Sequence, residues 1–143
     1  MPARHDAPGA PHDDLLHMRR GTAFFARVLA DLSDDDIART PQRRMIIAEV
    51  SLWARKTALW VKSHREALSD EETNFEVDVP YTATLPIPAL RHLFTHSALH
   101  LNVELRDLDD LHWAPVADIP NQRAEEIWKA GSRLKEPAAA KDV

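Results

Sequence analysis

The sequence predicts an all-α fold: a four-helix bundle with one short extended segment between its second and third helices. Apolar residues recur at the 3.6-residue period of an α-helix along four long stretches. Only three of the 143 residues are glycine, and none of them lies in the second or third stretch. The alternation typical of a β-strand occurs in one short segment, so a packed sheet has no support. The length suits one domain with a single core.

The helix boundaries follow from residues that favour helix ends. Ser33 precedes three aspartates, a pattern that predicts a short helical turn capped by the serine. Pro86 and Pro88 suit the first turn of the third helix, where a missing N–H costs nothing. We expect the four long helices at about residues 13–32, 42–68, 86–108 and 121–134.

Three segments fall outside the predicted helices. Apolar and acidic residues alternate in "FEVDV", residues 75–79, which predicts a short extended segment or at most a small hairpin. Residues 1–11 and 135–143 are rich in proline and alanine, so we expect them to be disordered tails. The bundle itself would occupy residues 12–134.

Composition excludes several classes of function. The net charge is −5 and the basic residues are dispersed, which argues against nucleic acid as a partner. The chain has no cysteine, hence no thiolate nucleophile and no thiolate metal site. No apolar run approaches the roughly 20 residues that cross a bilayer, and the N-terminus lacks the apolar stretch of a signal peptide. We therefore expect a cytoplasmic protein without a membrane partner.

The third helix carries histidines one turn apart, at His92, His96 and His100. A complete core stripe lies on the opposite side: Ile87, Leu90, Phe94, Ala98, Leu101, Leu105 and Leu108. The histidine side also carries Leu93, Leu99 and Val103. Three interpretations stay open. The histidines face solvent, or their face meets a second subunit in a homodimer, or they bind a metal, for which this spacing supplies only two of the required ligands.

Acidic residues beside apolar faces are candidate catalytic groups on the second and fourth helices. Glu49 lies at the edge of the apolar stripe of helix two, and Glu126 shares a face of helix four with Arg133. His64 is centred on the helix-two stripe, which suits a core or rim histidine. That stripe consists of Ile46, Val50, Trp53, Thr57, Trp60, Val61, His64 and Leu68. For each glutamate the competing interpretation is a solvated surface charge.

The same stretches carry a family resemblance. In chain order they are "MRRGTAFFARVLADLSDDDI", "MIIAEVSLWARKTAL", "LRHLFTHSALHLNVELRDLDDLHW" and "RAEEIWKAGSRL". Together they resemble the N-terminal domain of mycothiol-dependent maleylpyruvate isomerases, in the DinB-like superfamily, over residues 13–134. The resemblance implies a DinB-like four-helix bundle with a divalent metal, typically zinc, between the second and fourth helices, and a low-molecular-weight thiol.

The metal ligands of that family are only partly retained. Glu49 stands where the family has a histidine, Glu126 matches the family's glutamate, and Ala130 replaces the second histidine. Arg133 replaces an aspartate, and an arginine could substitute for the positive charge of the metal. We therefore assign no metal or other cofactor from the residues themselves. We expect Glu49, Glu126 and Arg133 to converge within hydrogen-bonding reach.

Three functional hypotheses follow. The first is a small isomerase-like enzyme that acts on a small acidic or carbonyl substrate by metal-independent acid–base chemistry. Its catalytic candidates are Glu49, Glu126, His64, His96 and His100. Its substrate-binding candidates are Arg133, Arg123, Trp53 and Trp60. The alternatives are a non-catalytic dimeric binding or assembly module, and a divalent-metal enzyme with atypical glutamate and histidine ligands.

Overall fold

The computed structural model describes residues 6–73 and 76–136. In chain order its helices are α1 (His12–Asp31), α2 (Asp34–Ala38), α3 (Pro41–Arg65), α4 (Asp70–Thr73), α5 (Val79–Thr82), α6 (Ile87–Arg106), α7 (Asp110–Trp113) and α8 (Ile119–Lys135). A short 3₁₀ turn, Ala114–Val116, joins α7 to α8. No strand occurs in the described residues, so the predicted all-α class is confirmed.

Four long helices, α1, α3, α6 and α8, form a helical bundle. Helix α1 packs along α8, α3 packs along α6, and α3 also contacts α8. The core stripe predicted on α6 is confirmed, because Leu90, Phe94 and Leu105 are all buried between the helices. None of the described helices combines the length and apolar character that crossing a membrane requires.

Two glycines allow α1 and α8 to approach closely. A Cβ at Gly21 would lie 2.6 Å from Cγ2 of Ile127, and one at Gly131 would lie 2.6 Å from Cε2 of Phe24. Either methyl group would force the neighbouring side chain to move. The indole of Trp128 stacks on Phe24 in the same contact, with ring centroids 5.1 Å apart.

The predicted helix starts are confirmed at two positions. The Ser33 hydroxyl accepts a hydrogen bond from the Asp36 N–H at 3.0 Å, and the Asp36 carboxylate accepts one from the Ser33 N–H at 3.3 Å. This reciprocal pair is a capping box that starts α2. Pro86 and Pro88 stand at the start of α6.

The extended segment predicted at residues 75–79 is shorter than expected. Phe75 lies outside the described residues, and 76–78 have no regular structure. The Asp78 carboxylate then accepts a hydrogen bond from the Tyr81 N–H at 3.0 Å and caps α5. Helix capping by Asp78, with Pro80 in the first turn, overrides the alternating pattern. The hairpin interpretation is therefore wrong for the described part of this segment.

Residues 6–11, which the sequence places in the N-terminal tail, contact the bundle. The Asp6 carboxylate accepts two hydrogen bonds from Arg19, at 2.6 and 2.8 Å. The Gly9 N–H donates to Oδ1 of Asp110 at 2.6 Å, and Ala10 is buried. At the other end, α8 continues through Lys135, while residues 1–5 and 137–143 of the expected tails lie outside the described residues.

The apolar stripe predicted on α3 is only partly right. Trp60 is 45% exposed, and His64 is half-buried at the surface rather than in the core. The buried face of α3 instead includes four small residues, Ala48, Ser51, Ala54 and Ala58, among larger apolar ones. It comprises Ile46, Ile47, Ala48, Val50, Ser51, Leu52, Ala54, Ala58 and Val61. The predicted stripe followed the large side chains, which here lie at the edge of the interface.

Candidate functional site

The most unusual buried side chain is Arg123, in the second turn of α8. Its relative exposure is 1%, and it is the largest fully buried side chain of the described residues. Nη1 donates a hydrogen bond to the backbone oxygen of Val50 at 3.0 Å. The guanidinium carbon lies 5.2 Å from the ring centroid of Trp53, a cation–π distance. Helix α3 thus supplies both groups that hold Arg123 in place.

Arg123 has no anionic partner at hydrogen-bonding distance within the described part of the chain. Its Nη2 is buried and makes no hydrogen bond there. Burial lowers the pKa of Arg123 to about 10, and the charge of Glu126 acts in the opposite direction. A guanidinium with this pKa is still charged at neutral pH. The protein therefore carries the cost of a desolvated cation with little compensation.

A cavity of about 210 Å³ adjoins Arg123 between α1, α6 and α8. Its walls combine apolar and polar groups: Met18, Arg19, Thr22, Ala98, Leu99, Leu101, Asn102 and Arg123. The other polar side chains that line the cavity have hydrogen-bond partners within the protein. Arg19 binds Asp6 and donates from Nε to Oδ1 of Asn102 at 2.7 Å, and the Thr22 hydroxyl donates to the Met18 carbonyl at 3.0 Å. The unsatisfied donor on the cavity wall belongs to Arg123.

The predicted carboxylate site forms a different cleft, between α3 and α8. Glu49, Glu126 and Arg133 all line it, together with Glu125 and Lys129, and its volume is about 170 Å³. All three predicted residues are exposed. Within the described residues no hydrogen bond or ion pair joins any two of the three. The sequence thus placed them in one cleft, while the expected hydrogen-bonded convergence is not formed.

The remaining catalytic candidates lie elsewhere. His64 Nδ1 lies 2.8 Å from the backbone oxygen of Trp60, and the two rings meet edge to face at 4.4 Å. His96 and His100 line a third cavity, with His92, between α3 and α6. The five residues predicted to act together therefore do not line one cavity.

The residues at the metal positions that the resemblance implies do not fit a zinc ion. Ala130 offers no ligand atom, and Glu49 and Glu126 are exposed carboxylates without an imidazole beside them. Among residues 6–73 and 76–136, no group of three or more histidine, aspartate or glutamate side chains could hold a metal. The glutamates and the helix-three histidines of the atypical-ligand alternative line different cavities.

Two buried polar residues on α6 were missed by the sequence reasoning. Glu104 is 6% exposed and accepts a hydrogen bond from Nη2 of Arg65 at 2.5 Å, and Ser97 is 2% exposed. Their spacing contained the signal. Ser97 comes four residues before Leu101, and Glu104 comes four before Leu108, so both lie beside the core stripe.

Comparison of the chain with protein-family models, with curated proteins and with solved structures found no match. The resemblance to maleylpyruvate isomerases therefore stays a prediction.

Proposed function

We propose that this protein binds a small organic monocarboxylate, as a ligand or a substrate, in the cavity beside Arg123. One observation carries the proposal: a fully buried arginine lines a cavity and has a guanidinium nitrogen without a hydrogen-bond partner in the described structure. A carboxylate would supply both the counter-charge and the missing acceptor. Because the site is desolvated, such a charge-assisted hydrogen bond would be stronger than one at the surface.

The cavity also restricts the rest of the ligand. Met18, Ala98 and Leu101 give it apolar walls, which suit a hydrocarbon body. Its volume of about 210 Å³ exceeds the roughly 150 Å³ of an engineered cavity that holds benzene. Benzoate and hexanoate have about the right size and carry one carboxylate. This class agrees with the small acidic substrate expected from the sequence.

The test is a titration with benzoate and with benzamide, its neutral counterpart, followed by calorimetry and by tryptophan fluorescence. Trp53 lies against the Arg123 guanidinium, so its emission should respond to an anion there. We expect benzoate to bind at least tenfold more tightly than benzamide, a difference of about 1.4 kcal/mol. Equal affinities for the two compounds, or no binding of benzoate, would refute the proposal.

Variants assign the binding to this cavity. Arg123→Met should remove benzoate binding while keeping the fold, because it replaces a buried cation by an apolar side chain of similar length. Arg20→Met is the matched control, since Arg20 is an exposed arginine on α1 outside the cavity. Unchanged benzoate affinity in folded Arg123→Met would show that the anion binds elsewhere.

A second candidate function is metal-independent acid–base isomerisation in the α3–α8 cleft of a DinB-like bundle. It is supported by the position of Glu49, Glu126 and Arg133 around one opening. Proton abstraction next to a carbonyl would exchange that proton in D₂O, so NMR of small keto acids with the protein tests it. Glu49→Gln and Glu126→Gln should each abolish exchange. An absence of exchange across the panel would count against isomerisation and leave carboxylate binding untouched.

The homodimer through α6 also remains a proposal, and the 59% exposure of Leu99 supports it. An apolar side chain so exposed on a long helix is a candidate interface residue. Light scattering at high micromolar concentration should give twice the chain mass of 16.2 kDa. A monomer at that concentration would contradict it.

A further inference from the structure

A cavity between α3 and α6 has a volume of about 520 Å³. Helix α6 contributes His92, His96, His100 and Ser97 to it, and Leu59 and Arg55 come from α3. Leu85, Ala89 and Leu93 complete the lining. This volume is in the usual range of sites for small molecules. The cavity combines a row of imidazoles with an apolar wall and is separate from the cavity beside Arg123.

The first observation that points to a binding site is the hydroxyl of Ser97. The residue is 2% exposed, and its buried hydroxyl has no hydrogen-bond partner within the described structure. Hydroxyl side chains inside helices usually donate to the carbonyl four residues earlier. Ser51 does so at 2.7 Å, and Thr95 does so at 3.2 Å on the same helix as Ser97. Ser97 lacks this bond, so its hydroxyl is available to a group in the cavity.

The histidines supply the second sign. The rings of His92 and His96 lie 4.1 Å apart, centroid to centroid. Both side chains are exposed, and a negative charge bound between the two rings would offset the repulsion between their charged forms. His100 has its own compensation, since Nε2 lies 3.4 Å from Oε2 of Glu104. The pair formed by His92 and His96 therefore suits a dianion better than a monoanion.

We propose that this cavity binds a phosphate monoester that carries a small apolar group. The phosphate would accept hydrogen bonds from the two imidazoles and the Ser97 hydroxyl, while the apolar group packs on Leu59 and Leu93. A metal ion fits the cavity less well. Three histidines line it, but within the described residues no three histidine, aspartate or glutamate side chains are grouped so that they could hold a metal ion.

The proposal fixes how binding depends on pH. A phosphate monoester becomes a dianion above about pH 6, and histidine loses its charge between about pH 5 and 8. Binding at neutral pH should therefore draw protons onto His92 and His96. Two other titratable or charged side chains line the cavity, Arg55 and His100. Behind His100 lie its partner Glu104 and the Arg65 that binds this glutamate.

Phenyl phosphate and phenyl sulfate are the probes, because the sulfate ester has the same shape and stays a monoanion. Calorimetry in two non-phosphate buffers of different ionisation enthalpy measures proton uptake directly. We expect phenyl phosphate to bind at least tenfold more tightly than phenyl sulfate at neutral pH, with net proton uptake. Equal affinities, no binding, or binding that disappears when a chelator removes divalent metal would overturn the proposal.

Two variants locate the site. The double change His92→Gln with His96→Gln should raise the dissociation constant of phenyl phosphate at least tenfold and remove proton uptake. Ser97→Ala should weaken binding several-fold without loss of stability, because the hydroxyl has no protein partner to lose. His17→Gln is the control, a histidine change on α1 outside the cavity. Wild-type affinity in the folded double variant would overturn the assignment.

Discussion

Two buried regions of this molecule differ in how the charge of an arginine side chain is compensated. At the α3–α6 interface, Arg65 donates to the buried carboxylate of Glu104 at 2.5 Å, and His100 lies on the other oxygen at 3.4 Å. This hydrogen bond raises the pKa of Arg65. On α8, the partners of Arg123 within residues 6–73 and 76–136 are only a backbone oxygen and an indole ring, and burial lowers its pKa to about 10.

The contrast distinguishes a charge that stabilises the fold, at Arg65, from a charge that is available to bind a ligand, at Arg123. A buried ion pair recovers its desolvation cost from its partner within the fold, so it needs nothing from outside. A buried cation without a partner leaves that cost uncompensated and adjoins a cavity that an anion could enter. The two arginines should therefore respond in opposite ways to loss of charge, and the predictions below test that difference.

The largest effect is expected where a complete pair is broken. Glu104→Ala removes the buried carboxylate and leaves the guanidinium of Arg65 with its 3.1 Å contact to the exposed Glu66, so it should lower the free energy of unfolding by about 3 kcal/mol. This is the lower end for a buried pair, because the Arg65 side chain is 27% exposed. Urea denaturation measures it, with the exposed Glu125→Ala as control. A loss below about 0.5 kcal/mol, as at an ordinary surface site, would show that the pair is not structural.

The next effect comes from giving Arg123 the partner that it lacks. Met18 lines the same cavity, so Met18→Glu would place a carboxylate beside the guanidinium. We expect this change to be about 2 kcal/mol more destabilising in the Arg123→Met background than in the wild type. It should also block benzoate binding by occupying the site. Additive effects in this double-mutant cycle would mean that the two side chains do not meet.

A smaller change of opposite sign is expected from Arg123→Met alone. Replacing an unpaired buried cation by an apolar side chain should leave stability unchanged or raise it by about 1 kcal/mol. The same substitution at Arg65 should be destabilising, because it strands Glu104. Parallel urea denaturation of both variants gives the comparison directly. A large loss in Arg123→Met would show that the bond to Val50 makes Arg123 structural.

The sequence predicted those features that depend on one helix at a time. The core stripe of α6 follows from the helical period, as Leu90 and Leu105 show. The start of α2 follows from Ser33 and Asp36, whose reciprocal hydrogen bonds are local. In both cases the deciding contacts lie within a few residues, so the pattern contains the information.

Features that depend on how helices meet were predicted poorly. Arg123 comes four residues before Ile127 and shares its core face. The sequence indicates it as a substrate-binding candidate, but it does not reveal that the side chain is buried or that the described residues offer it no counter-charge. Its partners, Val50 and Trp53, belong to α3. The same limit explains why Trp60 was predicted to be buried and is exposed. Its large apolar side chain suggested burial, whereas small residues such as Ala58 lie in the helix interface.

The smallest expected effect tests a charge pair at the rim of the Arg123 cavity. The hydrogen bond from Arg19 lowers the pKa of Asp6. A carboxyl whose pKa is lower in the folded state stabilises the fold above its unfolded pKa and loses that contribution as pH falls through the folded value. Both side chains are partly exposed, so Asp6→Asn should cost only about 0.5 kcal/mol near neutral pH. The difference from wild type should shrink as the pH falls below the ordinary aspartate pKa and vanish below the lowered folded-state pKa, as measured by urea denaturation at a series of pH values. A cost that persists in acid would assign the stabilisation to packing of the N-terminal segment instead of to charge.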